Sequence, residues 1–245
     1  MKKKGLLTLF LVVFIDLLGF GLILPLLPFV ADRFHATPLE IGLLSATYSF
    51  FQLIASPIIG RLSDRYGRKK LLFVSQLGTM LSFILMGTAK TLTVLFLSRV
   101  LDGITGGNIT IAQAYIADST SQKDRAKSMG MLGAAFGIGF IFGPALGGFL
   151  SQWGFGVPAF FAATLAGIAA FSSLFFLPET VDVKQAAKRV QASQGLAKMK
   201  EALMTPVLGL LIVAFFLINL AFSGMQGTFA IWTLDTFGWG ATETG

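Results

Sequence analysis

The 245-residue chain contains no cysteine and only one histidine, His35. Disulfides and thiolate metal sites are therefore excluded, and cysteine usage carries no redox information. One imidazole leaves almost nothing from which to build a metal cluster or a serine–histidine triad. Charge is also scarce: 13% of residues are Asp, Glu, Lys or Arg, about half the share of a soluble domain. What is abundant is apolar surface. Hydrophobic residues make up 54% of the chain, and the mean hydropathy is +0.77. That is more than one water-soluble core can hide, so the natural solvent for the excess is a bilayer.

A membrane helix needs about 20 mostly apolar residues. Seven stretches qualify: Leu6–Val30, Leu39–Ile59, Leu71–Ala89, Leu92–Ala117, Ser128–Gln152, Val157–Leu177 and Pro206–Thr233. The first, preceded by Lys2, Lys3 and Lys4, has the outline of a signal peptide. Its apolar run is too long for one and contains Asp16, so it reads as a span.

Lysine and arginine alternate with the spans. Three precede the first span. Arg61, Arg65, Arg68, Lys69 and Lys70 follow the second; Lys123, Arg125 and Lys127 follow the fourth. Lys184, Lys188, Arg189, Lys198 and Lys200 follow the sixth, whereas the intervening loops hold only Arg33 and Lys90. This bias places the N-terminus in the cytoplasm. The net charge of +7 is then a topology signal and a contact for anionic lipid, not a nucleic-acid footprint.

The longest polar stretch, residues 179–205, reads as a cytoplasmic linker. It divides the chain into a six-helix transmembrane bundle at 1–178 and the start of a second bundle at 206–245. A short echo agrees with that division: FHATPLEIG (Phe34 to Gly42) leaves the first span, and FGWGATETG (Phe237 to Gly245) leaves the seventh. Two parallel six-span halves are a known transporter plan, and on that plan the chain ends as its second half enters its second helix.

Asp16, Arg99 and Asp102 lie well inside spans. Each costs about 2.5–3.5 kcal/mol at mid-membrane on insertion scales, so each is a functional candidate. Arg99 and Asp102 share one helix face at i,i+3; Gly106, Thr110 and Gln113 roughly continue it. The stripe either faces a cavity, or the two charges simply neutralise each other. Asp16 sits about 15 Å into its span. It either exchanges a proton against a cation or pairs with Arg99 across helices. Gly130, Gly133, Gly137, Gly139, Gly143, Gly147 and Gly148 allow close packing of the fifth span, and Pro144 allows a bend. The run GIGFIFG (Gly137 to Gly143) has no strand before it and is no dinucleotide loop.

These segments together resemble the major facilitator superfamily. GRLSDRYGRKK (Gly60 to Lys70) is similar to that family's signature loop between helices two and three. LFLSRVLDGITGGN (Leu95 to Asn108) resembles its helix-four arginine motif, and GIGFIFGPALGG (Gly137 to Gly148) the helix-five motif of drug/proton antiporters. LLGFGLILPLLP (Leu17 to Pro28) and LPET (Leu177 to Thr180) fit the same branch, that of tetracycline-type and multidrug efflux proteins.

The resemblance implies an all-α integral membrane fold: a major-facilitator six-helix bundle plus the first helix of a second, in the plasma membrane of a bacterium. It implies a cytoplasmic latch of Gly60, Asp64, Arg65, Gly67, Arg68 and Asp118 that stabilises the outward-facing state. It also implies proton coupling at Asp16 and Arg99; the polar face read from spacing adds Asp102 and Gln113 to the transport path. The antiporter hinge would comprise Gly139, Gly143, Pro144, Gly147 and Gly148. No enzyme activity and no cofactor are expected. A proton gradient is the energy source, a small amphipathic molecule the substrate, and a monomer with a second half the complete protein. Two departures stand out: tetracycline exporters carry an acidic residue in helix three where this chain has Ser82, and Asp102 is foreign to the helix-four motif. An importer or facilitator of the same fold is the alternative. A seven-span receptor is disfavoured by the cytoplasmic N-terminus and the lack of lysine in span seven.

Overall fold

A computed structural model describes residues 3–181 and 201–244. All regular structure among them is helical. In chain order the helices are α1 (Lys3–Ile23), α2 (Leu27–Asp32), α3 (Pro38–Tyr66), α4 (Arg68–Gly87), α5 (Leu92–Thr105), α6 (Asn108–Ser119), α7 (Gln122–Ser151), α8 (Gly156–Phe176), α9 (Pro206–Phe237) and α10 (Ala241–Thr244). A short 3-10 turn, Leu24–Leu26, joins α1 to α2 where Pro25 and Pro28 interrupt the first span. Residues 182–200, most of the expected linker, lie outside the described residues.

Six helical segments are long and apolar enough to cross a membrane: Leu7–Asp32, Pro38–Tyr66, Arg68–Gly87, Gln122–Ser151, Gly156–Phe176 and Pro206–Phe237. The fourth expected span departs from this. It is not one helix but two, α5 of 14 residues and α6 of 12, separated at Gly106 and Gly107. The break has identifiable causes. The Thr105 hydroxyl donates back to the Leu101 carbonyl at 2.8 Å. The carbonyls at the end of α5 take donors from neighbouring helices: Gln52 Nε2 reaches Gly106 O at 2.9 Å, and Ser75 Oγ reaches Thr105 O. A helix end inside a bundle is tolerated when its freed carbonyls are satisfied this way.

The expected signature loop is also corrected. Gly60 to Tyr66 belongs to α3, Arg68 begins α4, and Gly67 alone lies between them with φ 104° and ψ 141°. A glycine is what permits that backbone conformation. Arg61, Asp64 and Arg65 are carried on the last turns of α3, since exposed charges solvate a helix as readily as a loop.

Hydrophobic area cannot drive helices together in lipid, so close packing must. Small side chains do this on α8, where Ala162, Ala163, Ala166, Ala169 and Ala170 are all buried. α1 runs through the middle, packed on α6, α7 and α8. Its Leu9, Val12, Val13 and Leu17 join Tyr115, Leu132 and Ala169 in one core cluster, while Leu22 and Leu27 join Phe83, Met86 and Ala162 in another. α9 exposes most of its residues. It rests on the bundle through a small cluster of Leu26, Phe29, Ala230 and Ala241.

The sequence echo has a structural counterpart. Glu40 Oε2 accepts from Thr37 N at 2.7 Å as part of a capping box that starts α3. Glu243 Oε2 accepts from Gly240 N at 3.0 Å just before α10. The glutamate shared by the two segments makes the same backbone bond in both.

Candidate functional site

The buried polar side chains converge where α1, α3, α4 and the α5–α6 break meet. Arg99 and Asp102, one turn apart on α5, are both 3% exposed and form an ion pair at 3.4 Å. Arg99 also lies 3.9 Å from Met86 Sδ and over the Phe83 ring at 5.9 Å. The hydroxyls of Thr79 and Ser82 on α4 face the Asp102 carboxylate. Ser82 thus stands beside a carboxylate carried by the neighbouring helix.

Asp16 does not pair with Arg99. Its Oδ1 accepts from Asn108 Nδ2 at 2.8 Å, and the same amide reaches Thr79 Oγ1 at 3.5 Å. Asn108 is the first residue of α6, so the helix break delivers this donor to α1. Its carbonyl oxygen is buried without a partner among the described residues. Asn108 stands in the helix-four motif, but a partner 92 residues from Asp16 leaves no local trace in the sequence.

Asp16, Asp102, Asn108 and Thr79, but not Arg99, line a cavity of about 220 Å³. Asp16, Asp102, Asn108, Thr79 and Gln52 supply its polar wall, and Phe20, Tyr48, Phe83 and Phe136 its aromatic one. Asp16 and Asp102 against Arg99 leave one formal negative charge when all three are ionised. Gln113 is exposed and outside this lining; the break between α5 and α6 interrupts the single face on which sequence spacing places it.

At the cytoplasmic end Arg68 is a hub. Its Nε donates to Asp118 Oδ2 at 3.0 Å, its Nη1 to Ser63 Oγ at 2.5 Å, and its Nη2 pairs with Asp64. Gly60 contributes its carbonyl, 3.5 Å from Nη1. Glu179 completes the cluster by accepting from Arg68 N at 2.9 Å, and Tyr115 donates to the Pro178 carbonyl at 2.8 Å. The first residue of the expected linker, Glu179, is thus bonded to the bundle. Arg65 instead lies over the Tyr66 ring at 5.3 Å.

On α7, Gly139, Gly143 and Gly147 face the α1 backbone from Leu17 to Leu22, and Gly148 is buried. Gly130, Gly133 and Gly137 face open space. Pro144 lies within a helix that continues to Ser151.

A bundle of apolar helices around an ion pair, with a polar cavity at a helix break, defines a multi-pass membrane protein. The chain belongs to the Major Facilitator Superfamily, whose sequence profile matches residues 9–245. It is 37% identical over 240 residues to the class E tetracycline resistance protein of Escherichia coli, covering 96% of this chain and 59% of that protein. It is 34% identical over 230 residues to multidrug resistance protein 2 of Bacillus subtilis (strain 168), covering 92% of this chain and 57% of that one. The chain therefore spans less than two thirds of the length of these relatives. The fold is similar to that of the human organic anion transporter MFSD10 (TETRAN), with TM-score 0.75 and 24% identity over 99% of this chain and 68% of the other. A bacterial homolog of the human lysosomal transporter Spinster, inward-facing and unoccupied, gives TM-score 0.77 at 18% identity, covering 99% of this chain and 58% of that one.

Proposed function

We propose that this chain forms the proton-coupling half of a secondary active transporter that exports small amphipathic drugs or metabolites by alternating access. The observation that carries this reading is the Asp16–Asn108 contact inside an aromatic-walled cavity, where no cation among the described residues pairs with the charge Asp16 carries when ionised. A proton on Asp16 or a cationic group in the cavity each neutralises that charge, so occupancy by one disfavours the other. This is the exchange an antiporter requires. Aromatic walls suit an amphipathic partner, since ring faces attract cations and stack on apolar groups.

In this reading Arg99 and Asp102 take part in the exchange beside Asp16, whose carboxyl has no cationic partner among the described residues. The Arg68 hub, with Asp64 and Asp118, is the cytoplasmic latch, and Gly139, Gly143, Pro144, Gly147 and Gly148 are the packing surface on which α7 moves against α1. The names of the relatives, tetracycline and multidrug resistance proteins, support drugs as the substrate class. No bound cofactor is called for; the proton gradient supplies the energy. Residues 179–205 are read as the joint to a second bundle beginning at 206, which completes the path.

The test is proton-gradient-driven efflux from vesicles containing the protein, with Asp16→Asn and Arg99→Ala. Each substitution should abolish coupled efflux. Intact coupling in both would sink the assignment.

A further inference from the structure

The Asp16 cavity has a neighbour. A second cavity, of about 420 Å³, is lined by Pro28, Gly42, Ser45, Arg99, Ser223 and Gln226 among others. Pro28 and Gly42 flank the connection between α2 and α3, on the side that the lysine and arginine bias assigns to the outside. The two cavities share three residues, Phe20, Tyr48 and Ser49. Asp16 and Asn108 belong only to the inner one, and Arg99 only to the outer.

The shared wall is built around Tyr48. Its ring lies 5.5 Å from that of Phe20. Its hydroxyl accepts from Gln52 Nε2 at 2.6 Å, and the same nitrogen donates to Gly106 O at 2.9 Å. Tyr48 on α3 is thereby tied, through one amide, to the carbonyl freed where α5 ends. The room for the tether is made by Gly106, where a Cβ would stand 3.1 Å from Gln52 Nε2 and 3.4 Å from the Tyr48 oxygen.

We propose that the Tyr48 ring is the gate between the inner, carboxylate-lined cavity and the outer one, held shut by the Gln52 link to the α5–α6 break. The proposal rests on the transport reading above and adds the residue that controls passage outward from Asp16. A ring held at one end by a hydroxyl bond opens by rotating away, and rearrangement at Gly106 releases it.

The absence of cysteine from the sequence makes a direct test available in the full chain. Single reporters Asp16→Cys and Thr79→Cys sit in the inner cavity, and Ser45→Cys in the outer. Their modification by a membrane-impermeant, positively charged thiol reagent is timed from the outer side of oriented vesicles. With Tyr48 present, both inner reporters should react slowly and Ser45→Cys quickly. Tyr48→Ala should speed both inner reporters about tenfold, a shift of about 1.4 kcal/mol in the open–closed equilibrium. Ser45→Cys should be unchanged, which also reports that the variant is folded. Tyr48→Phe keeps the ring but loses the bond from Gln52 that holds it shut, so it should speed the inner reporters, though by less than Tyr48→Ala. Unchanged inner rates in Tyr48→Ala overturn the gate and leave the Asp16 exchange reading standing. Equal speed in Tyr48→Phe and Tyr48→Ala also overturns it, making the hydroxyl bond and not the ring the barrier. Inner reporters that never react, from either side and in every background, overturn both the gate and the pathway.

Discussion

Gly143 on α7 lies backbone to backbone against Gly21 on α1. A Cβ at 143 would stand 2.6 Å from the Gly21 carbonyl carbon, and one at 21 would stand 2.9 Å from the Gly139 carbonyl oxygen. Neither obstacle is a flexible side chain, so a methyl group must push the helices apart. Gly143→Ala is expected to destabilise by about 1–3 kcal/mol, the usual cost of overpacking. Gly137→Ala, on the same helix with nothing within 4 Å of the new atom, is the control. It should be neutral or gain up to about 1 kcal/mol from helix propensity. Thermal unfolding in detergent separates the two.

The one-residue turn at Gly67 yields a second expectation. Its φ of 104° suits only glycine, and an added Cβ would run into the Glu179 carboxylate that caps Arg68. Gly67→Ala should cost about 1–3 kcal/mol from backbone strain and release Glu179. Arg68→Lys should fail for a different reason. One ammonium cannot serve Asp118, Asp64 and Ser63 at the separate positions the guanidinium reaches. The loss is expected at about 1.5–3 kcal/mol, the range for hydrogen bonds to charged groups. It should shrink in high salt to the extent that half-exposed Asp64 carries it. Melting curves at two ionic strengths check both parts.

The two Gly–Gly pairs show what the sequence could and could not reveal. Gly147–Gly148 sits inside a continuous α7, while Gly106–Gly107 ends a helix. Hydropathy averages over both and reads each region as one span. The difference is tertiary: Gln52 and Ser75, on other helices, satisfy the carbonyls that the break releases. The Arg99–Asp102 contact was legible because i,i+3 neighbours meet on any helix. The Arg68 contacts were legible only through the family resemblance, which sets Asp64 and Arg68 of the signature motif against Asp118. Asn108 was not, since its value comes from facing a helix far away in sequence. The polar signature segment looked like a loop only because composition cannot tell solvated helix from solvated coil.

Asn108 ties α6 to α1 and α4 at one point. Asn108→Leu removes the donor to Asp16 but also removes an unpartnered carbonyl, so the two effects oppose each other and the single variant alone is uninformative. A double-mutant cycle with Asp16→Leu isolates the contact. The expected coupling is about 0.5–3 kcal/mol, read from unfolding midpoints. Zero coupling would mean that the hydrogen bond contributes nothing to holding Asp16.

Arg99 and Asp102 admit two roles, a path for protons or mutual neutralisation, and stability and transport respond differently to each. Asp102→Asn leaves a buried guanidinium without its counter-charge and should cost about 3–5 kcal/mol. Arg99→Met alone leaves a buried carboxylate and should cost about as much. The combined variant Arg99→Met with Asp102→Asn buries no charge at this point, so it should recover most of the lost stability. If the pair only neutralises itself, coupled efflux returns along with the melting temperature. If Arg99 and Asp102 take part in exchange, the double variant melts near the parent and still fails to couple efflux to the proton gradient. We expect the second outcome, because Asp102 lines the same cavity as Asp16 and faces the Thr79 hydroxyl that Asn108 also reaches.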